Sequence, residues 1–174
     1  MQSAVAAPVC KVHWAGVEVH LLPERALWWP QGRTLFIADL HMGKAATYRA
    51  LGQPVPGGTT QENLDRVSAL IARHSPQQVI FLGDFLHAAA ARTANVMAAL
   101  AQWRLQHAAV GMTLVRLSGR GRDSLRMPCF VAQAGQAVLP AFGEFTGGWM
   151  VGAEQGRRLY PVGGGVVWCL PAAA

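Results

Sequence analysis

Two acidic residues and a histidine follow two short apolar segments, and together they could bind a metal ion. Asp39 and His41 come directly after the apolar run 34–38, and Asp84 follows the run 78–82. Successive residues of an extended chain point to opposite sides, so Asp39 and His41 would leave the same side, about 6–7 Å apart. If the two runs form neighbouring parallel strands, Asp84 reaches the same carboxyl edge, where open α/β sheets bind ligands. Two carboxylates and an imidazole suit a divalent ion such as Mn²⁺ or Fe²⁺.

A purely structural interpretation also fits this spacing. Asp39 would cap a helix that begins near Gly43, Asp84 would cap the segment after it, and His41 would be a partly buried histidine with a hydrogen-bond partner. Because aspartate is common after strands, spacing alone favours this interpretation over a metal site.

The elements that must position these residues follow from the hydrophobic pattern. Alternation of polar and apolar residues predicts an opening hairpin, and continuous apolar runs predict strands buried on both faces. Apolar residues at helical spacing predict a helix that joins the two buried strands. The predicted strands are 11–14, 17–22, 34–38, 78–82 and 112–117, and the predicted helices are 59–74 and 92–107. Short strands and glycine turns follow, so the chain is expected to be α/β at the front and mostly β behind.

Composition indicates one ordinary globular domain. The 174 residues are 52% hydrophobic and 14% charged, against about 25% charged in an average domain, which excludes intrinsic disorder. The net charge is +6, and arginine supplies all but two of the 15 cationic residues. The rigid guanidinium fork suits phosphate, which points towards a polyanionic partner.

The cysteines and the apolar segments bear on the compartment. Cys10, Cys129 and Cys169 are far apart and form no Cys-x-x-Cys pair, so we expect three isolated thiols that act as small buried residues in a reducing cytoplasm. The first ten residues lack the pattern of a secretory signal, and no uncharged stretch is long enough to span a membrane. The sequence therefore predicts a cytoplasmic protein that does not contact a membrane.

Several motifs resemble one enzyme family. Asp39-Leu40-His41 followed by Gly83-Asp84 is similar to the opening of the calcineurin-like metallophosphoesterase signature. Longer blocks resemble one branch of it, the ligase-associated DNA damage response endonucleases (PdeM), and they lie at 23–30, 38–44, 82–87 and 139–148. The resemblance implies a single domain over 1–174 with an α/β fold, a metallophosphoesterase-type sandwich of two sheets flanked by helices.

The resemblance also implies a function. It predicts a divalent-metal-dependent phosphoesterase or DNA endonuclease of bacterial DNA repair, in which metal-bound hydroxide attacks a phosphodiester. Asp39, His41 and Asp84 match metal ligands of the family, with Asp84 in the bridging position. Mn²⁺ is the first expected ion, and Fe, Zn and Mg are alternatives. The implied partners are DNA, an ATP-dependent DNA ligase and the repair proteins associated with that ligase. Hydrolysis of small phosphomonoesters or cyclic nucleotides is a rival activity.

The chain departs from the family in its second half. The family signature continues with Gly-Asn-His-Asp, an isolated histidine and Gly-His-x-His, but neither Asn63 nor Asn95 precedes a histidine and no histidine follows His107. We therefore predict an internal deletion joined near 115–116, which would remove part of the second half of the sandwich and leave at most one weakly held ion. The alternative function is a catalytically inactive remnant, or a module that binds DNA or a protein partner.

Four more residues are candidates for contact with substrate. His87 follows Asp84 closely and could act in catalysis or face phosphate, while an ordinary partnered histidine is the alternative. Lys44 follows a glycine near a predicted helix start, where phosphate can bind. The alternative is a lysine that is exposed to solvent and contacts no substrate. Arg120 and Arg122 belong to a basic, glycine-containing turn, which could rest on a nucleic-acid backbone or form a solvated face.

Overall fold

The computed structural model describes residues 5–43, 59–86, 92–115, 128–143, 151 and 154–170. The elements within these ranges are β1 (Val5–Ala7), β2 (Cys10–Trp14), β3 (Val17–Leu22), β4 (Ala26–Trp29), β5 (Thr34–Ala38), α1 (Thr59–His74), β6 (Gln78–Leu82), α2 (Ala94–Gln106), β7 (Gly111–Val115), β8 (Cys129–Gln133), β9 (Gln136–Val138), β10 (Arg157–Gly163) and β11 (Val166–Cys169).

A six-stranded sheet carries the front half of the chain, in the order β2-β3-β4-β5-β6-β7. Strands β2 to β5 form an antiparallel meander, which contains the predicted opening hairpin. Strands β5, β6 and β7 are parallel to one another, because helical crossovers run between them. The predicted parallel pairing of the two buried strands is thus confirmed, and their carboxyl ends lie at one edge of the sheet.

A second sheet has five strands in the order β1-β11-β10-β8-β9, and its pairs are antiparallel. An apolar cluster joins it to the antiparallel part of the first sheet. The fully buried members of this cluster include Leu21 of β3, Phe130 of β8 and Val167 of β11. The two sheets therefore share one core.

A second core lies between the six-stranded sheet and the helices. Leu35 and Ile37 of β5 and Val79 of β6 pack in one cluster with Leu64 and Leu70 of α1. The central strands are thus covered by the second core as well as by the first, which explains why β5 is a continuous apolar run rather than an alternating one.

Both predicted helices are present, and their ends have local causes. α1 spans the predicted 59–74, and Pro76 follows its end, where it cannot continue a helix. α2 is shorter than the predicted 92–107, because the Thr93 hydroxyl accepts a hydrogen bond from the Val96 N–H and caps the helix at that point. The third predicted strand begins one residue early, at Gly111, and is described as far as Val115.

The expectation of three isolated thiols is wrong for two of them. Cys10 on β2 and Cys169 on β11 are joined in a disulfide that links the two sheets. Their sequence separation of 159 hid this pairing, since only the packing of the sheets brings the two strands together. Cys129 is a free, partly buried thiol, and burial raises its pKa.

The predicted α/β class is confirmed: two sheets and two helices make up the described part of the chain. None of the described helices is long and apolar enough to cross a membrane.

Candidate functional site

Backbone hydrogen bonds hold the turns after β5 and β6 side by side. The Asp39 N–H donates to the Leu82 carbonyl at 2.9 Å, and the His41 N–H donates to the Asp84 carbonyl at 3.0 Å. One rung further, the Met42 N–H donates to the Phe85 carbonyl at 2.9 Å. The parallel pairing thus continues past the strands, and it brings all three predicted ligands to one place.

The side chains of this cluster contact each other directly. One oxygen of Asp39, Oδ1, accepts the backbone N–H of Asp84 at 2.9 Å. The Nδ1 atom of His41 lies 3.4 Å from Oδ2 of Asp84, and these side chains are 15% and 34% exposed. The imidazole is therefore mostly covered, whereas the carboxylate of Asp84 reaches the surface.

The backbone at this site is strained. Asp39 and His41 both have φ of 47°, in the left-handed region that costs most side chains energy. The expectation of extended chain from Asp39 to His41 is therefore wrong. Residues in such conformations persist where their surroundings fix them, and they are typical of functional sites.

Gly83 is required by this packing. Its φ is +75°, and a Cβ placed there would overlap Oδ1 of Asp39. Only glycine combines this conformation with so close an approach of a carboxylate. The glycine of the Gly83-Asp84 motif is thus explained by steric constraints on this turn.

The donor atoms fit part of a metal site. Two ligands about 2.1 Å from a tetrahedral ion are about 3.4 Å apart, and this is the separation of His41 Nδ1 from Asp84 Oδ2. An imidazole nitrogen with a carboxylate oxygen suits Mn²⁺, Fe²⁺ or Zn²⁺. Within the described ranges, however, no group of three or more His, Cys, Asp or Glu residues is arranged to hold a metal. Asp39 lies next to the donor pair, with one oxygen on a backbone N–H.

A third segment completes this edge of the sheet. The Phe142 N–H donates to the Ala38 carbonyl at 2.8 Å, and the Gly143 N–H donates to the Asp39 carbonyl at 3.0 Å. A Cβ on Gly143 would overlap the Leu40 carbonyl. Part of the 139–148 block, which carried the family resemblance, therefore lies against the candidate ligands.

Two polar residues of α1 that were not predicted from the sequence support the site. Asn63 is buried, and its Nδ2 donates to the Leu40 carbonyl at 3.4 Å. Arg66 donates to the Phe142 carbonyl at 3.1 Å. The sequence contains a signal for Asn63, because this residue directly precedes Leu64 at the start of the apolar stripe of the helix. A polar residue that is buried there needs a hydrogen-bond partner.

The structure does not test the other four predicted contact residues. Lys44, His87, Arg120 and Arg122 are outside the residues that the structure describes. Their proposed contacts with substrate stay predictions.

A comparison with solved structures identifies a relative of this chain. It is similar to the crystal structure of the Pseudomonas putida nuclease MPE, with 30% sequence identity and a TM-score of 0.78 over 93% of this chain and 100% of that chain. The chain belongs to the family of this nuclease. Membership of this nuclease family agrees with the resemblance to phosphoesterases, while the ligase-associated branch and the internal deletion stay predictions. Neither a family model nor a curated protein sequence matches the chain.

Proposed function

We propose that the chain is a nuclease of the metallophosphoesterase class that hydrolyses DNA phosphodiesters with a divalent metal ion. The similarity to the Pseudomonas putida nuclease over 93% of the chain carries the reaction class. The motifs around Asp39, His41 and Asp84 support the metal-dependent class and the ligase-associated repair branch. A cytoplasmic location, with DNA and a DNA ligase as partners, belongs to the same proposal and rests on the family resemblance, because the Cys10–Cys169 disulfide removes the argument from isolated thiols.

The candidate residues have separate tasks in this account. His41 Nδ1 and Asp84 Oδ2 would hold the ion, preferably Mn²⁺, and the carboxylate of Asp39 would complete the set. A bound ion supplies charge neutralisation at the phosphate and lowers the pKa of water. The Asp84 N–H on Asp39 Oδ1 at 2.9 Å orients that carboxylate, and His41 Nδ1 and Asp84 Oδ2 lie at the separation expected of two ligands of one ion. Lys44, Arg120 and Arg122 would bind the phosphate backbone, and His87 would face the reacting phosphate.

Nicking of supercoiled plasmid tests this function. We expect the purified chain to convert supercoiled plasmid to open circles in Mn²⁺ and not in EDTA. His41→Gln should abolish nicking, since it removes a metal donor. His20→Gln is the matched control, because His20 also pairs with a carboxylate, Glu18, at 2.9 Å but lies in β3, away from the site. Equal nicking by the two variants would contradict the proposed role of His41.

A catalytically inactive remnant, or a module that binds DNA or a protein partner, is the second candidate. Two observations favour it: the sequence lacks Gly-Asn-His-Asp and Gly-His-x-His, and no three-residue metal group forms among the described residues. Two-metal hydrolysis needs two ions about 3.5–4 Å apart. Folded protein that binds plasmid without nicking it in Mn²⁺ would establish this candidate and contradict the proposed nuclease activity.

A further inference from the structure

Arg66, in the middle of α1, contacts two segments that are far apart in sequence. Its Nη1 donates to the Phe142 carbonyl and its Nη2 to the Glu24 carbonyl, each at 3.1 Å. The guanidinium carbon also lies 4.1 Å from the centroid of the Phe142 ring. We propose that Arg66 is a positioning residue, which fixes the turn that carries Asp39 and His41 by bracing the segment 141–143.

The braced segment is bonded directly to the candidate ligands. Phe142, whose carbonyl Arg66 holds, donates its own N–H to Ala38, and the next residue, Gly143, donates to the carbonyl of Asp39. Ala38 and Ala141 also form a parallel bridge. A displacement of 141–143 would therefore be transmitted to Asp39 through its carbonyl.

The turn needs such a brace because its backbone is strained. Asp39 and His41 are both held at φ of 47°, and the energetic cost of this conformation must be offset by the surroundings. Asp39 is fixed at its N–H by Leu82 and at its carbonyl by Gly143. Arg66 stabilises the second of these contacts, and Asn63 on the same helix holds the intervening Leu40 carbonyl.

The chemistry of arginine suits this task better than that of lysine. Its planar group presents several donors in a fixed arrangement and stacks on aromatic rings, whereas a lysine ammonium is a flexible point charge. Arg66 uses two nitrogens for two carbonyls and its face for the Phe142 ring. Lysine could replace one of these contacts but not all three.

The test compares Arg66→Ala, Arg66→Lys and the control Arg73→Ala. Arg73 lies on the same helix and pairs with the side chain of Glu24, but it is 56% exposed and has no contact described with 141–143. We expect Arg66→Ala to speed hydrogen exchange at the Phe142 and Gly143 amides, Arg66→Lys to do so less, and Arg73→Ala to leave exchange unchanged. Added methylguanidinium should slow exchange in Arg66→Ala again.

The kinetic arm rests on the proposed function. Misplacement of a reacting group by about 1 Å can lower the reaction rate about 100-fold. We therefore expect kcat on plasmid or a simple phosphodiester to fall about 10- to 100-fold in Arg66→Ala, with KM changed less than about threefold.

Hydrogen exchange at the wild-type rate at both amides in folded Arg66→Ala, or an unchanged kcat, overturns the positioning role. If the wild-type chain itself shows no hydrolysis, the proposed function fails, and the exchange measurement still decides the role of Arg66. Should Arg66→Ala not fold, Arg66→Lys carries the same comparison.

Discussion

The candidate site depends on the types of three residues and on the backbone conformation of two of them. Asp39, His41 and Asp84 meet because parallel strands end at one edge of a sheet, and apolar runs in the sequence reveal such strands. The contact of His41 with Asp84 was not predictable, because it depends on left-handed conformations at positions 39 and 41. Aspartate and histidine enter this region more often than most residues other than glycine, but their types alone do not fix the conformation at these two positions.

Substitution of Gly83 tests the steric account of the turn. Gly83→Ala should destabilise the protein for two reasons, the φ of +75° and the overlap of a new Cβ with Asp39. Gly16→Ala is the matched control, because Gly16 has φ of +80° with nothing within 4 Å of its Cβ position. We expect a loss of about 1 kcal/mol from backbone strain in the control and clearly more in Gly83→Ala.

Urea unfolding measures both losses, and Mn²⁺-dependent hydrolysis supplies a second readout. Hydrolysis should fall in Gly83→Ala, since the overlap displaces the Asp39 carboxylate, and should persist in Gly16→Ala. Equal destabilisation of the two variants would show that Asp39 does not pack against Gly83.

At the scale of elements, hydrophobic periodicity was a reliable guide. It located both helices and five of the six strands of the front sheet, because burial of a helix stripe or of both strand faces leaves a clear pattern, but it missed β4. It overextended α2, where the short side chain of Thr93 rather than any apolar residue sets the start. Hydrophobic periodicity also gave no indication that α1 supports the site through Asn63 and Arg66.

The outermost described strands of both sheets carry exposed apolar residues. In the described part of the chain, β7 pairs only with β6, and Leu114 and Val115 on it are 51% and 37% exposed. β9 ends the other sheet, with Val138 61% exposed. Exposed apolar residues on an edge strand favour aggregation. The predicted deletion at 115–116 would begin where β7 ends, and it would remove a neighbour from this edge.

A small polar network joins the two helices and predicts a dependence on pH. The Trp103 indole donates to Ser68 Oγ at 2.9 Å, and Ser68 Oγ lies 2.8 Å from Nε2 of His107. Burial, and then the charge of Arg104, lower the pKa of His107 below its ordinary value of 6.5. Neutral His107 can accept a hydrogen bond from the Ser68 hydroxyl at Nε2, whereas the protonated ring has no nitrogen left to accept one.

The sign of the effect follows from linkage. Because the pKa of His107 is lower in the folded chain, the unfolded chain binds more protons below about pH 6.5, and stability falls as the pH is lowered through that region. His74, whose pKa is lowered by burial and by Arg73, acts in the same direction. Urea unfolding at pH 7.5 and 5.5 should show lower stability in acid, with a smaller difference in His107→Gln. An unchanged difference in that variant would exclude His107 as a contributor.

At the scale of the whole molecule, the facing of two sheets was expected only from family resemblance. Periodicity describes each strand but not which sheets share a core, since that depends on contacts between distant segments. The disulfide between Cys10 and Cys169 is the clearest case, with a sequence separation of 159. Composition and cysteine spacing carry no information about such a contact.

A count of free thiols tests that disulfide. Protein purified without reductant and then denatured should show one reactive thiol, Cys129, and three after reduction, because Cys10 and Cys169 are joined. Reduction should also lower stability by about 2–4 kcal/mol, since the bridge constrains the unfolded chain. Three thiols before reduction would restore the expectation of isolated cysteines.

In the proposed function, metal held at Asp39, His41 and Asp84 supports hydrolysis of a phosphodiester. The most direct measurement is the rate of bis(4-nitrophenyl) phosphate hydrolysis in Mn²⁺ by the wild-type chain, Asp84→Asn and Asp65→Asn. Asp65 is the matched control, an exposed carboxylate of α1 that accepts a hydrogen bond from Gln61. We predict turnover that requires Mn²⁺, persists in Asp65→Asn and falls in Asp84→Asn by more than the roughly 10- to 100-fold that loss of an outer-shell partner costs. No turnover by folded wild-type protein, or equal turnover in Asp84→Asn, would contradict the account.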